Sequence, residues 1–400
     1  MSATSSEQIR AWRGPAILSY GFRPFFFGAA VWAMLAMMLW TPMLMGRMSL
    51  PTAFDPVSWH AHEFLYGYLG AVSAGFLLTA VPNWTGRLPI VGWRLGALAL
   101  LWLAGRLVVA VSAQLPPWLV AAIDLAFPVV FTLAIGREIV AGKNWRNLIV
   151  LAMLAVLTLG NILFHWEAAH GVYAAQGIGL RLGLGVAIMM IAVIGGRIVP
   201  SFTRNWLAKR PAGPLPAPPM QTFDHISLAA LVISILIWVV TPTSIIAGIG
   251  LLIAGGLHFV RLARWCGYRT LAEPLVLVLH IGYLFLPLGA IAMGVGMIWP
   301  ETIGHVAAQH LWMAGAIGLM TLAVMTRASL GHTGQPLTAN RATIIIYVAM
   351  FLATIARFTA GVWPDASSWL HPVSGLLWIA AFGGFAVSYG PTLLRARHST

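Results

Sequence analysis

Charge is what this chain has least of. Only 8% of its 400 residues are Asp, Glu, Lys or Arg, against roughly a quarter in a soluble globule. So few charges cannot cover a water-facing surface, which excludes a soluble enzyme, a disordered chain and a fibrous one. Cysteine is nearly absent as well. The single Cys266 excludes an internal disulfide framework and a thiolate-held cluster. Acidic residues number 10 against 23 Lys and Arg, for a net charge of +13. That excess does not mark a nucleic-acid binder, because the basic residues lie between apolar runs rather than on one wet face. No nucleophile triad and no phosphate loop occur. Gly195-Gly196-Arg197 follows no strand and completes no G-x-G-x-x-G.

What the chain has is apolar sequence: 60% hydrophobic residues and a mean hydropathy of +0.86. About 20 apolar residues cross a bilayer as a helix. Twelve stretches are long enough: 25–46, 62–81, 93–113, 117–137, 147–165, 180–200, 225–241, 243–262, 275–298, 306–326, 342–362 and 369–392. The fold class is therefore all-α, a polytopic membrane protein forming a single integral domain over 1–400. The first span follows Arg10, Arg13 and Arg23 and is too long for a signal-peptide core, so it is read as retained. Lys and Arg favour the cytoplasmic side. With the N-terminus inside, every basic residue except Arg47, Arg106, Arg181 and Arg357 falls on an inner loop, tail or helix end. Both termini are expected to be cytoplasmic. The Pro-rich stretch 201–224 reads as a cytoplasmic linker.

Membrane proteins are often built from duplicated helix groups. His62 aligns with His310, and the same offset pairs Gly67 with Gly315, Gly70 with Gly318, and Thr85-Gly86 with Thr333-Gly334. Arg106 with Trp118-Leu119 matches Arg357 with Trp369-Leu370 at equal internal spacing. Val81-Pro82-Asn83-Trp84-Thr85 resembles Val199-Pro200-Ser201-Phe202-Thr203. These matches predict parallel four-helix repeats (helices 1–4, 5–8 and 9–12) over units 21–137, 147–262 and 267–392.

The twelve histidines carry the chemistry. His60, His62, His165, His170, His305, His310 and His371 all fall near the outer face of this topology. An imidazole in a membrane is a functional candidate and a preferred ligand for haem iron and copper. His62 and His310 stand about one turn inside the outer ends of two related helices, an arrangement that suits bis-histidine haem ligation. Glycines on the neighbouring faces would admit a flat macrocycle. Beside His62, Glu63 is placed to orient an imidazole. His60 and His305, with His165 and His170, form a second metal set suited to copper. In this reading Pro56 keeps the residues just upstream of the helix non-helical, so that His60 and His62 face one point from a loop-to-helix junction. Arg106 and Asp124 lie equally far from the turn joining helices 3 and 4, about 13 Å deep at 1.5 Å per residue. They read as an ion pair whose exchange should restore a folded protein. Arg357 has no matching acid and needs an anion. A haem propionate would serve, for Arg106 as well as for Arg357.

Several motifs together resemble the NnrS family of bacterial inner-membrane proteins, over nearly the whole chain. They are Gly21 to Phe26 (GFRPFF), Trp59 to Glu63 (WHAHE), Gly75 to Gly86 (GFLLTAVPNWTG), Gly195 to Thr203 (GGRIVPSFT) and Leu322 to Gly334 (LAVMTRASLGHTG). The resemblance implies twelve spans in the inner membrane, bound haem of b type and copper. It also implies a role in the nitric oxide response and tolerance, during nitrosative stress or denitrification. It carries over no reaction, electron donor or ligand set. A looser analogy joins the chain to haem-copper oxidase subunits, which have twelve spans in three parallel groups and haem ligands on helices 2 and 10. Helix 6 here lacks the histidine that would complete an oxidase-type copper site. The expected partners are nitric oxide or a related small molecule and the lipid bilayer, with no nucleic acid. The rival reading is a secondary transporter for an anion or metal ion. It draws on the same spans, repeats and buried arginines.

Overall fold

In hydrocarbon every backbone polar group must find its partner inside the protein, and a single chain segment achieves this as a helix. The computed structural model describes residues 12–395, and among them there is no strand. Arg10 and His398 lie outside the described residues. Twelve helices are long and apolar enough to span a bilayer. They are α1 (Phe22–Leu44), α2 (Pro56–Thr85), α3 (Trp93–Ala110), α4 (Pro117–Ala141), α5 (Trp145–Ala169) and α6 (Ile178–Leu207). Then follow α7 (Thr222–Val240), α8 (Ile245–Arg269), α9 (Pro274–Ile298), α10 (His305–Thr333), α11 (Arg341–Val362) and α12 (Pro364–Leu394). The chain is a multi-pass membrane protein.

Exposed tryptophans mark the helix ends: Trp93, Trp118, Trp145, Trp166, Trp299, Trp363 and Trp369. Their amphipathic rings suit the headgroup level. Between them the exposed side chains are apolar, among them Leu100, Leu133, Val240 and Val387.

Several helices run past the apolar stretches, and three of the extensions bear on the site. α2 begins at Pro56 rather than at 62, because Pro56 takes the first helical position and the Asp55 carboxylate accepts from the Val57 and Ser58 amides at 3.0 Å. This is the N-terminal use of proline, with its missing N–H where none is needed. His60 is therefore helical, not part of a loop-to-helix junction. α6 runs on to Leu207, so residues 201–207 of the expected linker are helical. α10 reaches Thr333. Each of these three helices also contains a π-helical segment: Glu63–Tyr68, Ile191–Gly195 and Leu311–Gly318. The first and third begin directly after His62 and His310.

The chain forms two compact units. Of the described residues, the first holds those up to Gly183, Ala328–Gln335 and those from Phe382 on. In it the buried Arg23 guanidinium donates to the Leu393 and Arg395 carbonyls at 3.0 and 2.7 Å, which satisfies carbonyls left open at the end of α12. The second holds Leu184–Arg327 and Pro336–Ala381. Its centre is a polar group on α7, α8 and α9: Asp224, His258, Arg261 and Tyr283, none more than 2% exposed.

Candidate metal centre

In the first unit four charged or ionisable side chains meet in an otherwise apolar interior. His62 and Glu63 come from α2, Arg106 from α3 and Asp124 from α4. His62, Glu63 and Asp124 are at most 1% exposed and Arg106 is 3% exposed. Arg106 Nη1 donates to Glu63 Oε2 at 2.8 Å, and its Nη2 donates to Asp124 Oδ1. One guanidinium thus bridges two carboxylates. The fork geometry of arginine allows this, and the point charge of lysine would not. Gly67 makes it possible, since a Cβ there would lie 2.1 Å from Arg106 Nη1. Gly67→Ala is expected to push Arg106 off Glu63 and cost about 1–3 kcal/mol, read as a lower melting temperature in detergent.

α5 completes the group with Asn161 and His165, one turn apart on one face. Asn161 Nδ2 donates to Asp124 Oδ2 at 2.8 Å, and His165 Nε2 donates to the same oxygen at 3.0 Å. With its amide nitrogen so engaged, Asn161 turns its Oδ1 to His62 Nε2 at 3.0 Å. Asp124 Oδ2 stands 3.2 Å from that nitrogen too. On the other edge His62 Nδ1 donates to Glu63 Oε1 at 3.0 Å. The ring is held at both nitrogens, so its orientation is fixed.

Among the described residues, His62, Asp124 and His165 are the group of three that could hold a metal ion, their donor atoms all within 4.8 Å of one another. A tetrahedral ion bound at about 2.1 Å separates its ligands by about 3.4 Å. The two histidine–aspartate gaps are already 3.2 and 3.0 Å. An ion in place of the intervening hydrogens would widen these two gaps only slightly. Two imidazoles and a carboxylate suit copper, iron or zinc. Glu63 then supplies the acceptor that fixes the far nitrogen of a ligating histidine. The charges also fit. Arg106 against Glu63 and Asp124 leaves one negative charge, which one proton on His62 or one monovalent cation neutralises.

A haem does not fit at His62 in this structure. Phe54 and Phe164 pack against the ring with centroids 5.6 and 5.4 Å away, and Asn161 and Asp124 stand 3.0 and 3.2 Å from Nε2. That spacing takes a single ion in place of a hydrogen but not a macrocycle.

The other candidate residues lie elsewhere. His60 is half-buried and stacks on Trp40 at 4.4 Å. His170 is exposed, and its Nδ1 donates to the Trp166 carbonyl at 2.8 Å. His305 is exposed at the start of α10. His310, in the second unit, is half-buried and its Nδ1 donates to the Val306 carbonyl at 2.7 Å. Arg357 is half-buried, with Nη1 3.1 Å from His371 Nε2. Arg106 is taken up by two carboxylates rather than left for a propionate. Two members of the centre have roles that the sequence pattern does not mark. Spacing points to Asp124 only as an ion-pair partner, and nothing in the periodicity points to Asn161. A signal for Asn161 exists: it is an amide in an apolar helix, four residues before a histidine.

A family model described as NnrS protein matches residues 16–397. No curated protein matches the chain.

Proposed function

The chain belongs to the NnrS family, and from that premise we propose that it is a copper-binding inner-membrane protein of the nitric oxide response, with the ion held by His62, Asp124 and His165. Family membership supports a role in the nitric oxide response and a bound metal or haem. The observation that carries the reading is the group of three convergent donors, all buried.

The division of labour follows from the hydrogen bonds. His62 Nε2, His165 Nε2 and Asp124 Oδ2 are the ligands. Glu63 holds His62 in the ligating orientation. Asn161 holds Asp124, and Arg106 balances the carboxylates so that the site stays close to neutral in a medium of low dielectric. Copper supplies one-electron chemistry when bound. The surrounding Phe54 and Phe164 rings keep water from it. The inner-face placement of basic residues supports cytoplasmic termini, and the helix-2 and helix-10 parallels support repeated four-helix groups.

The test is metal analysis of the purified full chain, with oxidised and dithionite-reduced absorption spectra on the same sample. About one copper per chain is expected in the wild type and none in His165→Ala. Glu63→Gln should keep the ligands but weaken copper binding about 10–100-fold, as loss of an orienting partner does. A protein free of copper after growth with copper available would sink the assignment. Flux of an anion or metal in proteoliposomes would then bring the transporter reading forward.

A further inference from the structure

A small cavity adjoins the centre. It takes the centre of a water-sized sphere over about 20 Å³, which is room for one or two atoms' worth of guest. Its far walls are the side chains of Phe127, Phe131, Leu154 and Leu157. Its near end is Asp124, Asn161 and Arg106, the side chains already engaged with one another at the centre. Two threonines on the wall are engaged as well: Thr158 Oγ1 donates to the Leu154 carbonyl at 2.9 Å and lies 3.3 Å from Thr132 Oγ1.

Gly70 lines the same space, and it has no packing reason to be glycine. A Cβ at Gly67 would strike Arg106 at 2.1 Å, and one at Gly75 would strike Phe26 at 2.6 Å. A Cβ at Gly70 would meet only Phe127 Cε1, at an ordinary 3.7 Å. Glycine inside a helix is disfavoured relative to alanine, so its presence calls for another cause.

We propose that the cavity kept open by Gly70 is a binding pocket for a small uncharged diatomic molecule, beside the His62–Asp124–His165 centre. The apolar walls favour such a guest. On the lining, Arg106 Nε is a buried donor without a partner, and it offers a hydrogen bond to a weakly accepting end. Access fits too. α4, which supplies Phe127 and Phe131, is the least buried of the spans at 28%, so a guest dissolved in hydrocarbon has one helix to pass. The placement beside a metal rests on the reading in the previous subsection; the pocket itself does not.

The test uses xenon as the probe, on the metal-free full chain in detergent, with ¹²⁹Xe exchange measured against wild type, Gly70→Ala and Gly70→Val. Copper binding is measured on the same three proteins. The expected result is a saturable xenon site in wild type, weakened in Gly70→Ala and lost in Gly70→Val. Should Gly70→Val not fold, the Gly70→Ala decrease carries the comparison. Copper binding should be equal in all three. Xenon uptake that is non-saturable in wild type, or unchanged by the substitutions, overturns the pocket whether or not copper binds. A saturable, Gly70-dependent site in a protein that binds no copper leaves the pocket standing and removes the metal centre.

Discussion

Replacing Arg106 with Met should leave little or no folded protein in the membrane. Its guanidinium is the one cation reaching both Glu63 and Asp124, which are themselves fully buried. Without it two carboxylates are left with only the His62 and His165 imidazoles, in a medium that solvates neither charge. Breaking a buried pair by removing one partner costs about 3–5 kcal/mol, comparable with the whole stability of many domains. Arg106→Lys should fall between, since an ammonium keeps the charge but not the two-pronged reach. The measurement is the amount of monodisperse protein recovered in detergent and its melting temperature. Wild-type yield and melting temperature for Arg106→Met would mean that the cluster contributes little to folding. The structure also changes one expectation. On the sequence alone, exchanging Arg106 and Asp124 should restore what either neutralisation loses. Glu63 is a third member of the group, so the exchange places a new carboxylate beside it. The exchanged protein is expected to stay as unstable as the single variants.

The second large effect lies in the other unit. Arg261→Met strips Asp224 of its closest cation, whose Nε donates to Asp224 Oδ1 at 2.7 Å. It also removes the donor to the Ala192 carbonyl and to Tyr283 Oη, both at 2.9 Å. The Tyr283 hydroxyl in turn donates to His258 Nδ1 at 2.8 Å, and His258 Nε2 donates to the Ser227 carbonyl at 3.2 Å. One substitution therefore loosens α6, α7, α8 and α9 together. Arg264 stands 4.0 Å from Asp224 and keeps part of the field. The loss should be about 3 kcal/mol, the lower end for a broken buried pair. Asp224→Asn combined with Arg261→Met should be more stable than Arg261→Met alone, because no uncompensated charge remains. Additive losses in that cycle would show that the two residues are not energetically coupled.

The spans were legible because membrane insertion is decided by summed hydropathy, which is a property of composition and length. The Arg106–Asp124 pairing was legible for a similar reason, since equal distance from a short turn fixes equal depth. His62 and Glu63 stood out as ionisable residues in an apolar run. The convergence of α5 on them did not. Which face of one helix meets another depends on packing, and a π segment shifts that face without any residue type to announce it. His60 shows the same limit in reverse. Its neighbourhood of His62 in sequence suggested a shared site, but successive helical positions point apart, and it stacks on Trp40 instead. The second buried cluster was readable in principle. With only ten acids in the chain, an aspartate at the mouth of a span and an arginine within reach on the next helix deserve pairing before they are assigned to the cytoplasmic surface.

The π segments that follow His62 and His310 have a consequence for how such a chain tolerates insertions and deletions. A π turn is an α-helix carrying one surplus residue, and each helical residue turns the chain by about 100°. Deleting one residue between Glu63 and Tyr68 should let α2 relax to plain α-helix without breaking it. The π turn already absorbs that surplus residue, so both flanks would keep close to their present facing. Gly75 would stay against Phe26 and His62 against α5, whereas a deletion in plain α-helix turns one flank by about 100° against the other. The same deletion in an ordinary stretch of a span has no stored slack to draw on. The two segments are thus the places where chain length and side-chain direction are set independently of each other.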